Sequence, residues 1–208
     1  SRRLIGFGRY AGIVGAYNTM RAFGIKYELF SLAKAEKLGS KQDLIARLQK
    51  PYMPPLKIAL TGTGKVGMGA KELLDDVGYK QVDIQSFLTK DFDEPVYVQL
   101  DVEDYYRRID GKPATKDDFI ANSNDYESDF EKFSQVADIV MAGHFYKDGS
   151  PKILTKEMLN APLNQVKVIG DISCDILGPI DSTLRSSTIE EPFYGYYARE
   201  DKEVSLDH

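Results

Sequence analysis

A short apolar run at residues 56–60 passes straight into Gly62-Thr63-Gly64-Lys65-Val66-Gly67, and residues 66–77 then carry apolar side chains at helical spacing as far as Gly78. Strand, glycine loop and helix in that order constrain the fold more than any other feature of the chain. Gly62 permits a tight turn out of the strand, Gly64 lets backbone approach a pyrophosphate, and Gly67 lets the helix pack on the strand. The amides at the helix start, where Val66 lies, then face the anion, and the helix dipole favours negative charge there. Lys65 adds a cation inside the loop. A G-x-G-x-x-G alone is weak evidence. It gains meaning from the strand before it, the helix after it and an acid about 20 residues on. The alternative is a glycine-rich turn that only packs.

The acid is Asp83, expected in a second strand at residues 81–84. A carboxylate there would accept hydrogen bonds from the adenine ribose and repel a 2′-phosphate, favouring NAD, with NADP as the alternative. The competing reading is a strand-end aspartate facing water. A second glycine set, Gly6-Phe7-Gly8-Arg9-Tyr10-Ala11-Gly12, has the spacing G-x-G-x-x-x-G and is read as close backbone packing.

Elsewhere the pattern alternates. Residues 11–23 repeat apolar side chains at three- and four-residue steps, as a helix does. Residues 28–38 are expected to continue helical, and residues 40–48 form a helix capped by Ser40. Residues 95–102, 138–142 and 166–172 read as strands, the first without a clear place in the sheet. Helices are expected at residues 117–121 and 126–133, around a polar, exposed insertion, and at 155–159 with Thr155 as cap. Residues 181–197 read as loop plus strand. The expected fold is α/β, a Rossmann-type doubly wound and mainly parallel sheet with helices on both faces. It forms one domain over residues 1–208, with a strand/helical segment at 1–50 and the Rossmann core at 56–208.

Composition sets bounds on function. Hydrophobic residues are 42% and charged residues 28%, ordinary globular usage. The net charge of −5 gives no basic footprint for nucleic acid. No apolar run has the length of a membrane span, and no signal peptide is visible. The single cysteine, Cys174, permits no intrachain disulfide and fits the cytoplasm. The abrupt ends read as those of a piece of a longer protein.

No nucleophile elbow or zinc cluster is present in the sequence. His144 follows the 138–142 strand, where Rossmann sites gather, so it and Phe145 are candidates to line a cofactor cleft. The competing reading of His144 is a partly exposed loop histidine. Cys174 lies between Ser173 and Asp175 without a basic partner, so it reads as a small buried residue rather than a catalytic thiol.

Five stretches, in order, resemble the lysine-forming saccharopine dehydrogenases and the related lysine–ketoglutarate reductases, with alanine dehydrogenase and nicotinamide transhydrogenase as broader relatives. They are Arg2 through Gly12, Gly62 through Ala70, Ala137-Asp138-Ile139-Val140, Asp171-Ile172-Ser173-Cys174-Asp175, and Val204-Ser205-Leu206-Asp207-His208. The resemblance implies an NAD(P)-dependent oxidoreductase domain acting on the CH–NH bond of an amino-acid substrate. It further implies that Arg2, Gly64, Lys65, Ile172, Leu206, Asp207 and His208 contact cofactor. Arg3, Phe7, Ser173, Cys174 and Asp175 would face substrate. Cys174 departs from the alanine usual in that family. The family's acid/base lysine and histidine lie in a preceding amino-terminal domain, the implied partner of this chain. Residues 1–208 alone are therefore expected to bind dinucleotide without turnover. The competing readings are an alanine dehydrogenase-like domain and a non-catalytic dinucleotide-binding module.

Overall fold

In the computed structural model, which describes residues 8–206, the strands of the main sheet are β1 (Lys57–Thr61), β2 (Lys80–Gln81), β3 (Val96–Leu100), β6 (Ile139–Ala142) and β7 (Val168–Asp171). Four shorter strands pair separately: β4 (Tyr106–Arg108) with β5 (Tyr126–Ser128), and β8 (Gly195–Tyr197) with β9 (Lys202–Val204). The helices are α1 (Gly8–Lys26), α2 (Lys41–Gln49), α3 (Lys65–Val77), α4 (Ile84–Thr89), α5 (Val102–Tyr105), α6 (Lys116–Asn122), α7 (Glu131–Ser134) and α8 (Lys156–Asn160).

The main sheet is parallel throughout and runs β2-β3-β1-β6-β7. Its centre is apolar on both faces, as a doubly covered parallel sheet requires. Ile58 and Leu60 of β1, with Ile139 and Met141 of β6, face a core made with α1, α2 and α3. Ala59, Val140 and Ala142 face the opposite core, with Phe87 of α4, Phe119 of α6 and Phe133 of α7. This is the Rossmann-type α/β architecture.

The chain first builds β2 and β3 on one side of β1, then crosses to build β6 and β7 on the other. The reversal puts a crevice at the carboxyl ends of β1 and β6, where ligands of such sheets bind.

The glycines at the start of α1 pack as expected. A Cβ on Gly12 would overlap Val66 O and lie 2.8 Å from Ala70 N, so α1 and α3 touch backbone to backbone. Arg9 forks onto Glu72 of α3 at 2.7 and 2.6 Å, and Lys41 of α2 reaches the same carboxylate at 2.6 Å. Hydrogen bonds from Arg9, then from Lys41, hold the Glu72 carboxyl down to about 2. Ser40 caps α2, accepting from Asp43 N at 3.2 Å, and Thr155 caps α8 in the same way. Gly78 closes α3 at φ 103°, a conformation that favours glycine.

Three expectations change. The helix expected at residues 28–38 does not form: α1 ends at Lys26, Glu28 turns at φ 51°, and only a single 3-10 turn, Ala35–Lys37, falls within the stretch. The chain then runs back beside α1, whose Tyr17 Oη and Arg21 Nε donate to Ala33 O (2.7 Å) and Leu32 O (3.2 Å). Those side-chain bonds hold an extended segment that local propensity does not reveal. The unplaced strand at 95–102 is central, lying between β1 and β2. The insertion before β6 is not a polar surface excursion. Tyr126 begins a strand rather than a helix, and Tyr105, Tyr106, Tyr126, Phe130 and Phe133 are buried. Tyr106 stacks on Phe119 with ring centroids 4.4 Å apart. Charged residues alternate with these aromatics and hide them in a composition average.

Candidate functional site

The crevice is built from the loops that leave β1, β3, β6 and β7. Gly62 leaves β1 at φ +99° and is buried directly against Gly143 of the loop after β6. Its N–H donates to Leu100 O of β3 at 2.8 Å, so the loop is tied on both sides. Gly67 is pressed onto Gly62, where a Cβ would overlap Gly62 O. These two glycines are needed for packing. Gly64 differs: a Cβ there would meet no atom within 4 Å. It N-caps α3 at φ −80° without a side chain to accept from the first turn. The amides of the first turn, beginning at Lys65 and Val66, lie at the positive end of a 13-residue helix whose cap leaves the space beside Gly64 open among the described residues. Lys65 is exposed and Val66 half-buried. Among the described residues no side chain caps these amides, an arrangement whose chemistry suits a pyrophosphate.

The acid beside this loop is Asp101, which the reading of the sequence missed. Asp83 does not stand there. β2 is two residues long, lies beyond β3 from β1, and ends before Asp83. Asp83 instead N-caps α4, accepting from Ser86 N and Ser86 Oγ at 2.8 Å each. β3 occupies the position flanking β1, and Asp101 follows its last residue. Asp101 Oδ2 accepts from Thr63 Oγ1 of the glycine loop at 2.6 Å. A reciprocal cap fixes its orientation: Val102 N donates to Oδ1 at 2.9 Å, and Asp101 N donates to Asp104 Oδ2 at 2.8 Å. Lys116, at the start of α6 in the insertion, reaches the same carboxylate at 3.2 and 3.3 Å and Thr63 Oγ1 at 3.3 Å. Burial pushes the Asp101 carboxyl up, but the bonds from Thr63, Val102 N–H and Lys116 outweigh it and hold the group below its ordinary value. The sequence did carry a signal: Asp101 directly follows the alternating run Val96, Val98, Leu100.

His144 is buried, at 4% exposure, rather than a partly exposed loop histidine. Its Nδ1 lies 2.6 Å from Thr61 Oγ1 at the end of β1, while Nε2 is buried without a partner among the described residues. Burial lowers its pKa to about 4, against a smaller opposing effect of Asp171, so the ring is neutral near pH 7. It forms part of the floor under the glycine loop. Phe145, the next residue, is exposed.

At the end of β7, Ile172 packs against Gly15 of α1, and its N–H donates to Ala142 O at 2.9 Å. Asp171 organises the turn, accepting from Ser173 Oγ at 2.6 Å, from Cys174 N at 3.2 Å and from Thr183 Oγ1. Cys174 is exposed at φ 58°, not the small buried residue expected. Although the residue is exposed, partial desolvation of the sulfur, then Asp171 and Asp175, raise its thiol pKa, which disfavours a thiolate nucleophile. The Asp175 carboxyl is raised by burial and by Asp171 and Asp148. Leu206 is exposed, following β9. Arg2, Arg3, Phe7, Asp207 and His208 lie outside the described residues. The geometry thus gathers Gly62, Gly64, Lys65, Val66, Gly67 and His144 around one switch point and leaves Asp83 at the edge strand. Among the described residues no cluster is arranged to hold a metal ion, and no helix is long and apolar enough to cross a membrane.

By class, then, this is a Rossmann-type α/β domain with an open glycine loop at its switch point. No family model matches the chain. Over 94% of its length it is 23% identical to alpha-aminoadipic semialdehyde synthase of Arabidopsis thaliana, covering 22% of that protein. It is likewise 23% identical to the mitochondrial alpha-aminoadipic semialdehyde synthase of Rattus norvegicus over 94% of the chain and 26% of the relative. The Mus musculus protein of the same name is 22% identical over the same shares. The chain therefore spans about a quarter of the length of these curated relatives.

Proposed function

We propose that this chain is the nicotinamide-dinucleotide-binding part of an oxidoreductase acting on the CH–NH bond of an amino-acid-derived secondary amine of the saccharopine type. The observation that carries the reading is the open start of α3 at Gly64, with Asp101 beside it at the switch point. The amides after Gly64, with Lys65, would hold the pyrophosphate. Asp101 would accept from the adenine ribose hydroxyls. The carboxyl ends of β6 and β7, with Ile172, would carry the nicotinamide side, and the Ser173–Asp175 turn would face substrate. When bound, the dinucleotide supplies a hydride acceptor or donor. Names such as alpha-aminoadipic semialdehyde synthase support the substrate class. Loss of hydride from a carbon beside the secondary nitrogen gives an imine, which water splits into a carbonyl compound and an amine: a side-chain semialdehyde when the lysine-side carbon is oxidised, lysine and a 2-oxo acid when the other carbon is. The acid/base groups for that hydrolysis belong, in this reading, to a separate domain of the same protein.

Titration of the chain with NADH, followed by nicotinamide fluorescence and calorimetry, tests the reading. Saturable binding that weakens about tenfold or more in Asp101→Ala supports it, the loss expected for a charge-assisted hydrogen bond. Absence of binding overturns it. A saccharopine-dependent assay of the same chain is expected to give no turnover, and ordinary turnover would place the acid/base chemistry within these residues.

A further inference from the structure

The Asp101 carboxylate is not a bare acid. The Lys116 ammonium lies 3.2 Å from Oδ1 and 3.3 Å from Oδ2, and it also reaches Thr63 Oγ1 at 3.3 Å. We propose that Lys116 lets this site accept a 2′-phosphorylated dinucleotide alongside the unphosphorylated one. The proposal rests on the dinucleotide reading above and assigns its 2′-selectivity to one residue of the insertion.

A lone carboxylate at the ribose position rejects a 2′-phosphate by like-charge repulsion, and a nearby cation accommodates one. Here the acid and the cation occupy the same point, so the pair presents no net charge to the ligand. Their freedom differs. Asp101 is fixed by its reciprocal cap with Asp104 and by Val102 N–H. The Lys116 backbone is fixed, its N–H donating to Glu103 Oε1 at 3.0 Å and Thr115 capping the helix it begins, while its ammonium bonds to Asp101 and Thr63 Oγ1. Its side chain is 46% exposed on a flexible four-carbon stem. The ammonium can leave Asp101 and follow a phosphate, carrying three donors. Thr63 Oγ1 can likewise turn its proton from Asp101 to a phosphate oxygen. With an unphosphorylated ribose, Asp101 accepts from the hydroxyls and Lys116 stays paired. The aromatic packing of Phe119 against Tyr106 and Tyr126 anchors α6 and sets where the lysine stem begins.

The test is a pair of binding titrations on the chain, with NADH and with NADPH, at equal ionic strength. The two affinities are expected within about tenfold of each other, because the repulsion is neutralised. Lys116→Ala is expected to weaken NADPH about tenfold or more and NADH less than threefold or so, with Lys116→Arg restoring NADPH. Since Lys116 is exposed, unchanged melting of the variants verifies that they fold. NADH binding with NADPH weaker by about a hundredfold, or an equal loss of both in Lys116→Ala, overturns the proposal and leaves the dinucleotide reading standing. Failure of both ligands to bind removes the two together.

Discussion

Two glycine sets that look alike in the sequence do opposite things in the molecule. Gly8 and Gly12, in α1, are filled by α3: Gly8 lies against Lys65 and Val66, and Gly12 against the backbone of Val66, Gly69 and Ala70. At Gly64, in the loop after β1, an added Cβ would meet no atom of the described residues within 4 Å. The first set removes side chains so that protein can approach protein. The second leaves room for something that is not protein. Gly62 and Gly67 show that even within one motif the roles divide, since both pack internally and only Gly64 opens outward. A G-x-G spacing reports a need for missing side chains. What fills the missing volume decides whether the need is structural or functional.

The contrast breaks most sharply at Gly12. Gly12→Val is expected to destabilise the chain by about 3 kcal/mol or more, because its neighbours are backbone atoms of α3 that cannot move aside. A urea unfolding curve checks this, and a change of less than about 1 kcal/mol would mean that the α1–α3 seam is looser than described.

The next largest effect concerns the floor of the open side. His144 is held down to about 4 by burial, against an ordinary value of 6.5. Above the ordinary value both folded and unfolded chains are neutral there, and no stability is lost. As pH falls through that window the unfolded chain takes the proton and the folded one does not, so stability falls until the folded value is reached. Between pH 7 and about 5 the loss expected from this residue is about 2 kcal/mol. His144→Gln should flatten the curve over that interval. An unchanged slope in the variant would assign the pH dependence to other groups.

Gly64→Ala reverses the pattern of Gly12. Its φ of −80° suits alanine and the added methyl meets nothing, so stability should stay within about 1 kcal/mol of the parent. NADH affinity should nevertheless fall about tenfold, because the methyl occupies the space over the amides. Equal affinity in parent and variant would show that ligand does not approach this face.

The difference between the two sets also marks how far the sequence could be read. The β1–loop–α3 unit was legible because each local preference agrees: an apolar run, glycines at the turn, a helical repeat and Gly78 at its end. Sheet order was not, because it depends on partners distant in the chain. The strand beside β1 is β3, which begins at Val96, well beyond the short β2 (Lys80–Gln81) that lies nearer in sequence. That displacement moved the acid from Asp83 to Asp101. Lys116 was illegible for a stronger reason. Its approach to Thr63 depends on Tyr106, Phe119 and Tyr126 forming a core inside a segment that reads as polar. The burial of His144 likewise depends on the loop after β6 folding back under Gly62.

The smallest effect expected is at Asp83, and its smallness is informative. Spacing from the glycine loop makes Asp83 and Asp101 rivals for one role, and the sheet separates them. Asp83 is an exposed helix cap whose carboxyl is held below its ordinary value by the Ser86 amide and then the Ser86 hydroxyl. Asp83→Ala removes the cap of the six-residue helix α4 and should lower the melting temperature slightly. It should leave NADH affinity within about twofold, since β3 stands between β2 and the loop. Should Asp83→Ala weaken NADH as strongly as Asp101→Ala, the ribose would have to reach past β3 to the sheet edge, and distance along the sequence would have been the better guide to the site than position in the sheet.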